Sequence, residues 1–355
     1  MANSSHTLQI DILRWVKEFS IGNKIVTVRF AEAGEMKKIQ LFIDSYWKSG
    51  HVLSTSDQVF SFQHCDLYRD RLNYVVSEDD EGSFNGILGF IDTLMYSDDD
   101  SVGNVIWYTT WKVLDNGPPL LGLKMKDFLN KQFSSRSFGT VGLNSKTKHI
   151  YDRLGYKTGV LDHYYILNPN IKDSRVGSSL LPSDVIPSSN MLIRLNSVSQ
   201  IEELIYDSLY SSDHAYKNAA YFSRRYLEHP ILDYSVLALV SRDGGLLNIL
   251  VGREEMLNES AVFRIVDLWS SFNVSGLGKS LMDLIVGSDY EYVDLMAYMP
   301  SKDALLEEGF RKVEGNTIVP NYFHPFVKRN INVYYAVKSD SCGIFRGDCD
   351  QDRPS

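Results

Sequence analysis

The chain has 355 residues, 44% of them hydrophobic, which is enough for two domains with separate cores. Its 36 basic against 45 acidic residues leave a formal net charge of −9 and argue against a nucleic-acid-binding surface. No run of about 18 apolar residues predicts a membrane span. Three cysteines (Cys65, Cys342 and Cys349) are too few and too scattered for a disulfide framework or a zinc site. Met1–His6 has no basic segment before an apolar core, so a cytoplasmic protein without a signal peptide is expected.

Apolar spacing predicts a short amphipathic helix over Leu8–Phe19, a strand over Lys24–Phe30 and a helix over Met36–Trp47. Strands Leu72–Val76 and Ile87–Ile91 flank the acidic turn Glu78-Asp79-Asp80-Glu81-Gly82. The β-branched and aromatic run Val105–Leu114 reads as a strand, and Asp115-Asn116-Gly117-Pro118-Pro119 as a loop. Leu120–Phe133 has helical spacing, Gly139–Leu143 is a second strand, and Ile150–Leu154 is a helix opened near Asn144 and closed by Gly155. Tyr164–Leu167 closes the series as a strand. Strand, Gly-bearing loop, helix, strand, helix is a βαβ unit, whose helix N-terminus offers N–H groups and a positive dipole end to phosphate. Trp107 and Trp111, four apart on one strand, are expected on one face, in the core or as a sugar-stacking pair.

Asn168–Asn190, rich in Ser, Pro, Asp and Gly, reads as a linker, after which the plan repeats. Phe62-Gln63-His64 through Leu72–Val76 is echoed by Phe222–Tyr226 through Leu232–Val236. A strand (Val262–Trp269), a loop (Ser275-Gly276-Leu277-Gly278-Lys279) and a helix (Ser280–Val286) follow, with Leu305–Phe310 at the place of Tyr151–Tyr156.

Asn144 followed by Ile150-Tyr151-Asp152-Arg153-Leu154-Gly155-Tyr156 resembles the closing motif of the GCN5-related N-acetyltransferases (GNAT). With the repeat, this implies an α/β (α+β) chain of two tandem GNAT domains, each a mixed, mostly antiparallel central sheet flanked by helices. The expected divisions are 1–168 (catalytic), a linker over 169–190, 191–340 (degenerate, shaping the acceptor site) and an acidic tail over 341–355. Phe42–Trp47 with His51-Val52-Leu53, Gly86–Ile91, Leu154–Gly159 with His163–Leu167, Pro320–Phe323 and the tail Gly347–Pro354 resemble tandem-GNAT proteins of bacterial O-antigen, lipopolysaccharide and capsule biosynthesis. That resemblance implies transfer of an acyl group from acetyl-coenzyme A, or another acyl-coenzyme A, to a nucleotide-linked amino sugar.

Residue by residue, it implies that Tyr151 protonates the departing thiolate and Asn144 bonds the pantetheine arm; the alternatives are aromatic packing and a helix cap. Coenzyme A would lie along Trp111, Lys112 and Val113 and on the loop and helix start formed by Gly117, Leu121, Gly122, Leu123 and Lys124. GNAT loops usually read Arg/Gln-x-x-Gly-x-Gly/Ala, whereas here Pro118 replaces the basic residue and Leu120 the first glycine, which requires a negative φ at Leu120. Gly276-x-Gly278 fits better, but Leu305 or Leu306 stands at the tyrosine's place and leucine donates no proton.

His51, at the acceptor edge, is the candidate base. His163, Trp47, Asn321, Tyr322, Asp350, Asp352 and Arg353 are the candidate acceptor contacts. The alternating carboxylates Asp348, Asp350 and Asp352 lack the Gly and distal Glu of a calcium loop, so no metal is expected. They read as a disordered terminus or as a tail folded back on the acceptor, and the second is preferred. Two alternatives stay open: an aminoacyl-tRNA-dependent (Fem-like) transferase, which calls for a basic groove, and a non-catalytic acyl-coenzyme A or sugar-binding module. An alcohol acceptor in place of an amine is also open.

Overall fold

A computed structural model describes residues 16–21, 24–67, 69–100, 103–115, 117–301, 303–338, 342–350 and 352. They form two compact units, one from the chain up to 92 with 106–136, the other from 93–105 with 137–355.

In the first unit, β1 (Val16–Ile21), β2 (Lys24–Glu32), β3 (Arg71–Glu78), β4 (Phe84–Asp92) and β5 (Val105–Val113) form an antiparallel sheet in that order. The helix expected over Leu8–Phe19 is corrected where the structure describes it: Val16–Ile21 is a strand, and residues 8–15 lie outside the described residues. Val16-Lys17-Glu18-Phe19-Ser20-Ile21 alternates as well as it spirals, and pairing with β2, Val16 opposite Arg29, decides for the strand. On one side lie α1 (Met36–Tyr46), α2 (Val52–Thr55) and α3 (Asp57–His64), whose Ile39, Phe42, Ile43, Leu53, Val59 and Phe60 are buried against Leu72, Tyr74, Val76 and Ile87. α4 (Leu121–Gln132) buries Leu121, Met125, Phe128 and Leu129.

β5 contains a bulge. Phe90 pairs with Tyr108 but Leu88 pairs with Trp111, so three residues of β5 oppose two of β4. The extra residue reverses the side-chain alternation. Trp107 therefore shares a face with its partner Ile91, and Trp111 with Leu88, on opposite faces of the sheet. The expectation that the two indoles share a face is corrected.

In the second unit, β6 (Ser137–Leu143) leads into α5 (Ser145–Arg153), β7 (Lys157–Val160) and β8 (Asp162–Leu167). After residues 168–190 come β9 (Met191–Leu195), α6 (Val198–Tyr206), α7 (Ala219–Phe222, continued by a π turn to Leu227), β10 (Ser235–Val240), β11 (Leu246–Leu257) and β12 (Ser260–Leu268). The chain ends with α8 (Leu277–Val286), β13 (Tyr290–Tyr298), α9 (Ala304–Glu307), β14 (Arg311–Lys312), β15 (Tyr334–Val337) and β16 (Ile344–Phe345). The strand order is β9-β10-β11-β12-β13-β8-β14, with β12 and β13 parallel and β16 on β13. Strands are exchanged between the two repeats. β8, which closes the first repeat, pairs with β13 of the second, while β15 of the second inserts between β6 and β7 of the first.

Segment 168–190 is packed, not loose. Asn168 Nδ2 donates to the Ile285 and Tyr290 carbonyls, Val176 is fully buried, and Ser178 bridges Ile318. No helix among the described residues is long and apolar enough to cross a membrane.

Candidate functional site

In the first unit the bulged strand β5 ends at Val113 and carries Trp111 and Lys112, both only half-buried. The loop turns through Gly117, where a Cβ would lie 2.9 Å from the Leu114 carbonyl. Leu120 starts α4 with φ +61°, so the negative φ required of it is corrected. Its counterpart in the second unit, Gly276 at the start of α8, has φ +76°. Both loops thus take the same left-handed turn, which glycine adopts freely and leucine under strain. The strain leaves the helix mouth shaped as in a glycine loop: the Gly122 and Leu123 N–H groups of the first turn meet no acceptor among the described residues. Gly122 sits under Trp111, with a Cβ there 2.9 Å from the indole Nε1. Leu120 is 69% exposed, so Leu120→Gly sacrifices little packing. It is expected to raise stability by about 1 kcal/mol in urea unfolding, and a destabilised variant would show that the leucine side chain holds the loop.

The second cradle is already filled. Burial pushes the Glu308 carboxyl's pKa up, against the opposing pull of the neighbouring Gly276 and Gly278 N–H groups. A Cβ at Gly278 would fall 1.7 Å from the Glu308 carbonyl, and one at Gly276 within 2.5 Å of Asn190 Nδ2 and Ser188 Oγ. The Glu308 turn therefore crowds the place where a phosphate would bind, with residues 188–190 across the opening. No sequence signal marks Glu308, because what places it is the fold of α9 and its following turn.

Tyr151, on α5, is 1% exposed and packs edge-to-face on Tyr156 at 5.0 Å. Burial, with Tyr156 and Cys349 adding to it, pushes its hydroxyl well above the usual tyrosine range, so it is protonated at neutral pH. Asn144 caps the same helix, its Oδ1 accepting from Thr147 N–H at 2.8 Å. Tyr151 and Asn144 thus share one helix in the second unit, while the cradle loop belongs to the first.

His51 is 3% exposed, stacks 4.8 Å from Trp47 and caps α2, its Nδ1 accepting from Leu53 N–H at 3.1 Å. That bond occupies the basic lone pair, which corrects the reading of His51 as a surface base. Trp47, at the end of α1, is 40% exposed.

The acceptor candidates of the second unit belong to a buried ionic network. His163 Nε2 lies 2.8 Å from Asp294, which Arg264 also grips at 2.8 Å. Asn321 is fully buried; its amide donates to the Ile331 carbonyl at 2.7 Å and its Oδ1 accepts from Ile331 N–H. Tyr322 lies under the Arg346 guanidinium at 5.4 Å. Asp352 is bound by Arg253 at 2.8 Å and Tyr234 at 2.7 Å, and Arg346 stands 3.7 Å away. Asp350 is buried beside the Cys349 thiol. Arg353 lies outside the described residues. The tail's residues 343–350 and 352 are therefore folded into the core, and Asn321 and Asp352 are committed to protein partners, a correction to their expected role as acceptor contacts.

The centre of this network escaped the sequence reading. Lys217, fully buried, lies 2.6 Å from Asp267 and 2.8 Å from Asp348. Tyr221 and Tyr226 donate to Asp267, and Tyr216 donates to Asp348. Asp267 lies 50 residues from Lys217 in sequence and Asp348 farther still, so no local pattern reports these carboxylates.

Burial pulls His163 and His214 down and lowers His229 to about 4. All three are neutral in the fold but bind protons when unfolded, so their contribution to stability is complete above their ordinary value near 6.5. For His229 it is lost as pH falls from there through about 4. The melting temperature is expected to fall between about pH 6.5 and 4, and less steeply in His229→Asn. A flat profile over that range would contradict it.

No family model matches the chain, and no curated protein matches it. Among solved structures it is similar to a GCN5-related N-acetyltransferase from Anabaena variabilis, with 12% identity over 88% of this chain and 72% of that one, at a TM-score of 0.53. It is also similar to a conserved protein of unknown function from Enterococcus faecalis, a probable N-acyltransferase, with 9% identity over 87% and 72% and a TM-score of 0.51. At these identities the likeness is one of fold, and the chain has the GNAT fold.

Proposed function

We propose that the chain is an acyl-coenzyme A-dependent N-acyltransferase whose donor lies on the first-unit cradle. The single observation that carries this reading is the contrast between the cradles. One keeps a left-handed turn at a costly leucine with its helix mouth open; its twin is crowded by the Glu308 turn and by Ser188 and Asn190. The GNAT fold and the bulge in β5, beside that mouth, support it.

In this reading the Gly122 and Leu123 N–H groups hold the pyrophosphate, and Trp111, Lys112 and Val113 lie along the pantetheine arm. Bound acyl-coenzyme A supplies a thioester. The acceptor nitrogen attacks its carbonyl carbon, the C–N bond forms, and the C–S bond breaks. The leaving sulfur gains a proton and the amine loses one to solvent; the sequence resemblance assigns the first of these to Tyr151, which burial keeps protonated. Asn144 holds the start of the tyrosine's helix in place. The two repeats, 1–168 and 191–340, divide the work: the first binds the donor, and the second, with its linker and tail, shapes the acceptor site. A nucleotide-linked amino sugar of surface-polysaccharide synthesis in the cytoplasm is the proposed acceptor. It rests on the sequence resemblance. The test is thiol release from acetyl-coenzyme A with nucleotide-linked and free amino sugars. Turnover of the linked sugars alone supports the proposal, and turnover of neither contradicts it.

A further inference from the structure

The segment between the two repeats encloses a cavity of about 400 Å³. That is within the about 300–1,000 Å³ of pockets that hold whole small molecules. Its lining residues all fall within 167–180, in the second unit. The buried Glu291 carboxylate holds this loop in shape, accepting from Ser174 Oγ and from the Arg175 and Val176 N–H groups. The Gly177 N–H donates to Ser174 Oγ at 2.7 Å, and Ser178 exchanges two backbone hydrogen bonds with Ile318, both at 2.9 Å. A Cβ at Gly177 would lie 2.9 Å from the Ile318 carbonyl, so glycine permits that approach. Ser179, on the cavity wall, has φ +54°, a left-handed turn that serine adopts only at a cost. A loop pinned this firmly loses little freedom when a ligand enters.

The same packing leaves polar groups of the wall without protein partners. The N–H groups of Lys172, Asp173, Ser174, Ser179 and Leu180 meet no acceptor among the described residues. The Lys172 ammonium, the Asp173 carboxylate and the Ser178 and Ser179 hydroxyls likewise meet no partner there. The two charges cancel (1 − 1 = 0), which decides the class of ligand. A phosphate in this space would face the carboxylate, and an ammonium would face the lysine. A hydroxyl escapes both penalties, because it donates to the carboxylate and accepts from the ammonium and the N–H groups. Ile171, Leu180 and the buried Leu167 add an apolar wall for the C–H face of a ring.

We propose that this cavity binds a neutral, hydroxyl-rich ring, a monosaccharide, through Lys172, Asp173 and the backbone of 172–180. The site is separate from the acyltransferase reading, whose donor cradle lies in the first unit. A neutral sugar carries no amine, so this is a site of recognition and not of acyl transfer.

The experiment is a ligand-observed NMR titration of the full chain with glucose, galactose and mannose, and with glucose 6-phosphate and glucosamine as charged counterparts. We expect at least one neutral hexose to bind in the millimolar range, at least about threefold tighter than either charged sugar. Asp173→Ala and Lys172→Ala are each expected to weaken it at least about tenfold. Both residues are exposed, so the melting temperature should stay unchanged and the loss is then one of binding. Gly122→Trp, which blocks the cradle, is expected to leave hexose affinity as it is. No binding of any of the three hexoses at about 50 mM overturns the proposal, as does equal affinity in both wall variants. Tightest binding of glucose 6-phosphate, rising further in Asp173→Ala, would make this an anion site, and tightest binding of glucosamine a cation site; either overturns it. Loss in Gly122→Trp overturns it too, because the sugar would then be at the cradle.

Discussion

Lys217→Met is expected to destabilise the chain by about 3–5 kcal/mol, the usual loss when one partner of a buried ion pair is removed. The ammonium is fully buried between two buried carboxylates, Asp267 at 2.6 Å and Asp348 at 2.8 Å. Removing it leaves two acids in a low-dielectric core, with tyrosine hydroxyls and the Phe345 N–H as their remaining hydrogen-bond donors among the described residues. The carboxylates already differ in the native protein: Lys217 holds Asp348 low against burial, whereas burial pushes Asp267 up. The variant would therefore fold best at acid pH, where the acids can take up protons. Asp348→Asn in the same chain is expected to recover part of the loss, since it removes one of the two uncompensated charges. Urea unfolding of the single and double variants measures both effects. A loss under about 1 kcal/mol would show that Lys217 does not hold the tail in place.

The second large effect concerns chemistry. Tyr151→Phe is expected to lower kcat by at least about tenfold and to leave acyl-coenzyme A affinity nearly unchanged. The ring stays, so the edge contact with Tyr156 and the burial of α5 are kept, and only the proton donor is lost. Because the hydroxyl titrates well above the usual tyrosine range, the wild-type rate should show no loss of this acid up to about pH 9. Full activity in the phenylalanine variant would leave Tyr151 a packing residue. Equal losses in kcat and affinity would mean that it holds the donor rather than protonating it.

Much of the fold was legible because its signals are local. The runs Val105–Leu114 and Leu120–Phe133 carry their period in adjacent residues, and β5 and α4 appear within one residue of those limits. Gly155 closes α5 with φ +72°, the left-handed turn that suits glycine. What was hidden depends on pairing across the chain. The bulge that separates the faces of Trp107 and Trp111 exists only in the register with β4. The strand exchange of β8 and β15 cannot be read from two repeats that each look complete.

The site divides the same way. Asn144 and Tyr151 came from one motif on one helix. Leu120 was recognised as the unusual residue of the cradle, but its conformation was misjudged, because tertiary packing imposed a turn that leucine alone avoids. His51 was found without its capping bond, and the tail's aspartates without their arginines, since those partners lie 99 residues away for Arg253 and Asp352. Glu308 carried no signal at all, although it decides which of two similar loops stays open.

Calorimetry of the full chain with acetyl-coenzyme A and free coenzyme A tests the central claim most directly. The expected result is micromolar binding of one ligand per chain, abolished by Gly122→Trp, whose side chain would be driven into the Trp111 indole, and unaffected by Glu308→Gln. No binding, two ligands per chain, or binding that survives Gly122→Trp would contradict a donor site on the first-unit cradle.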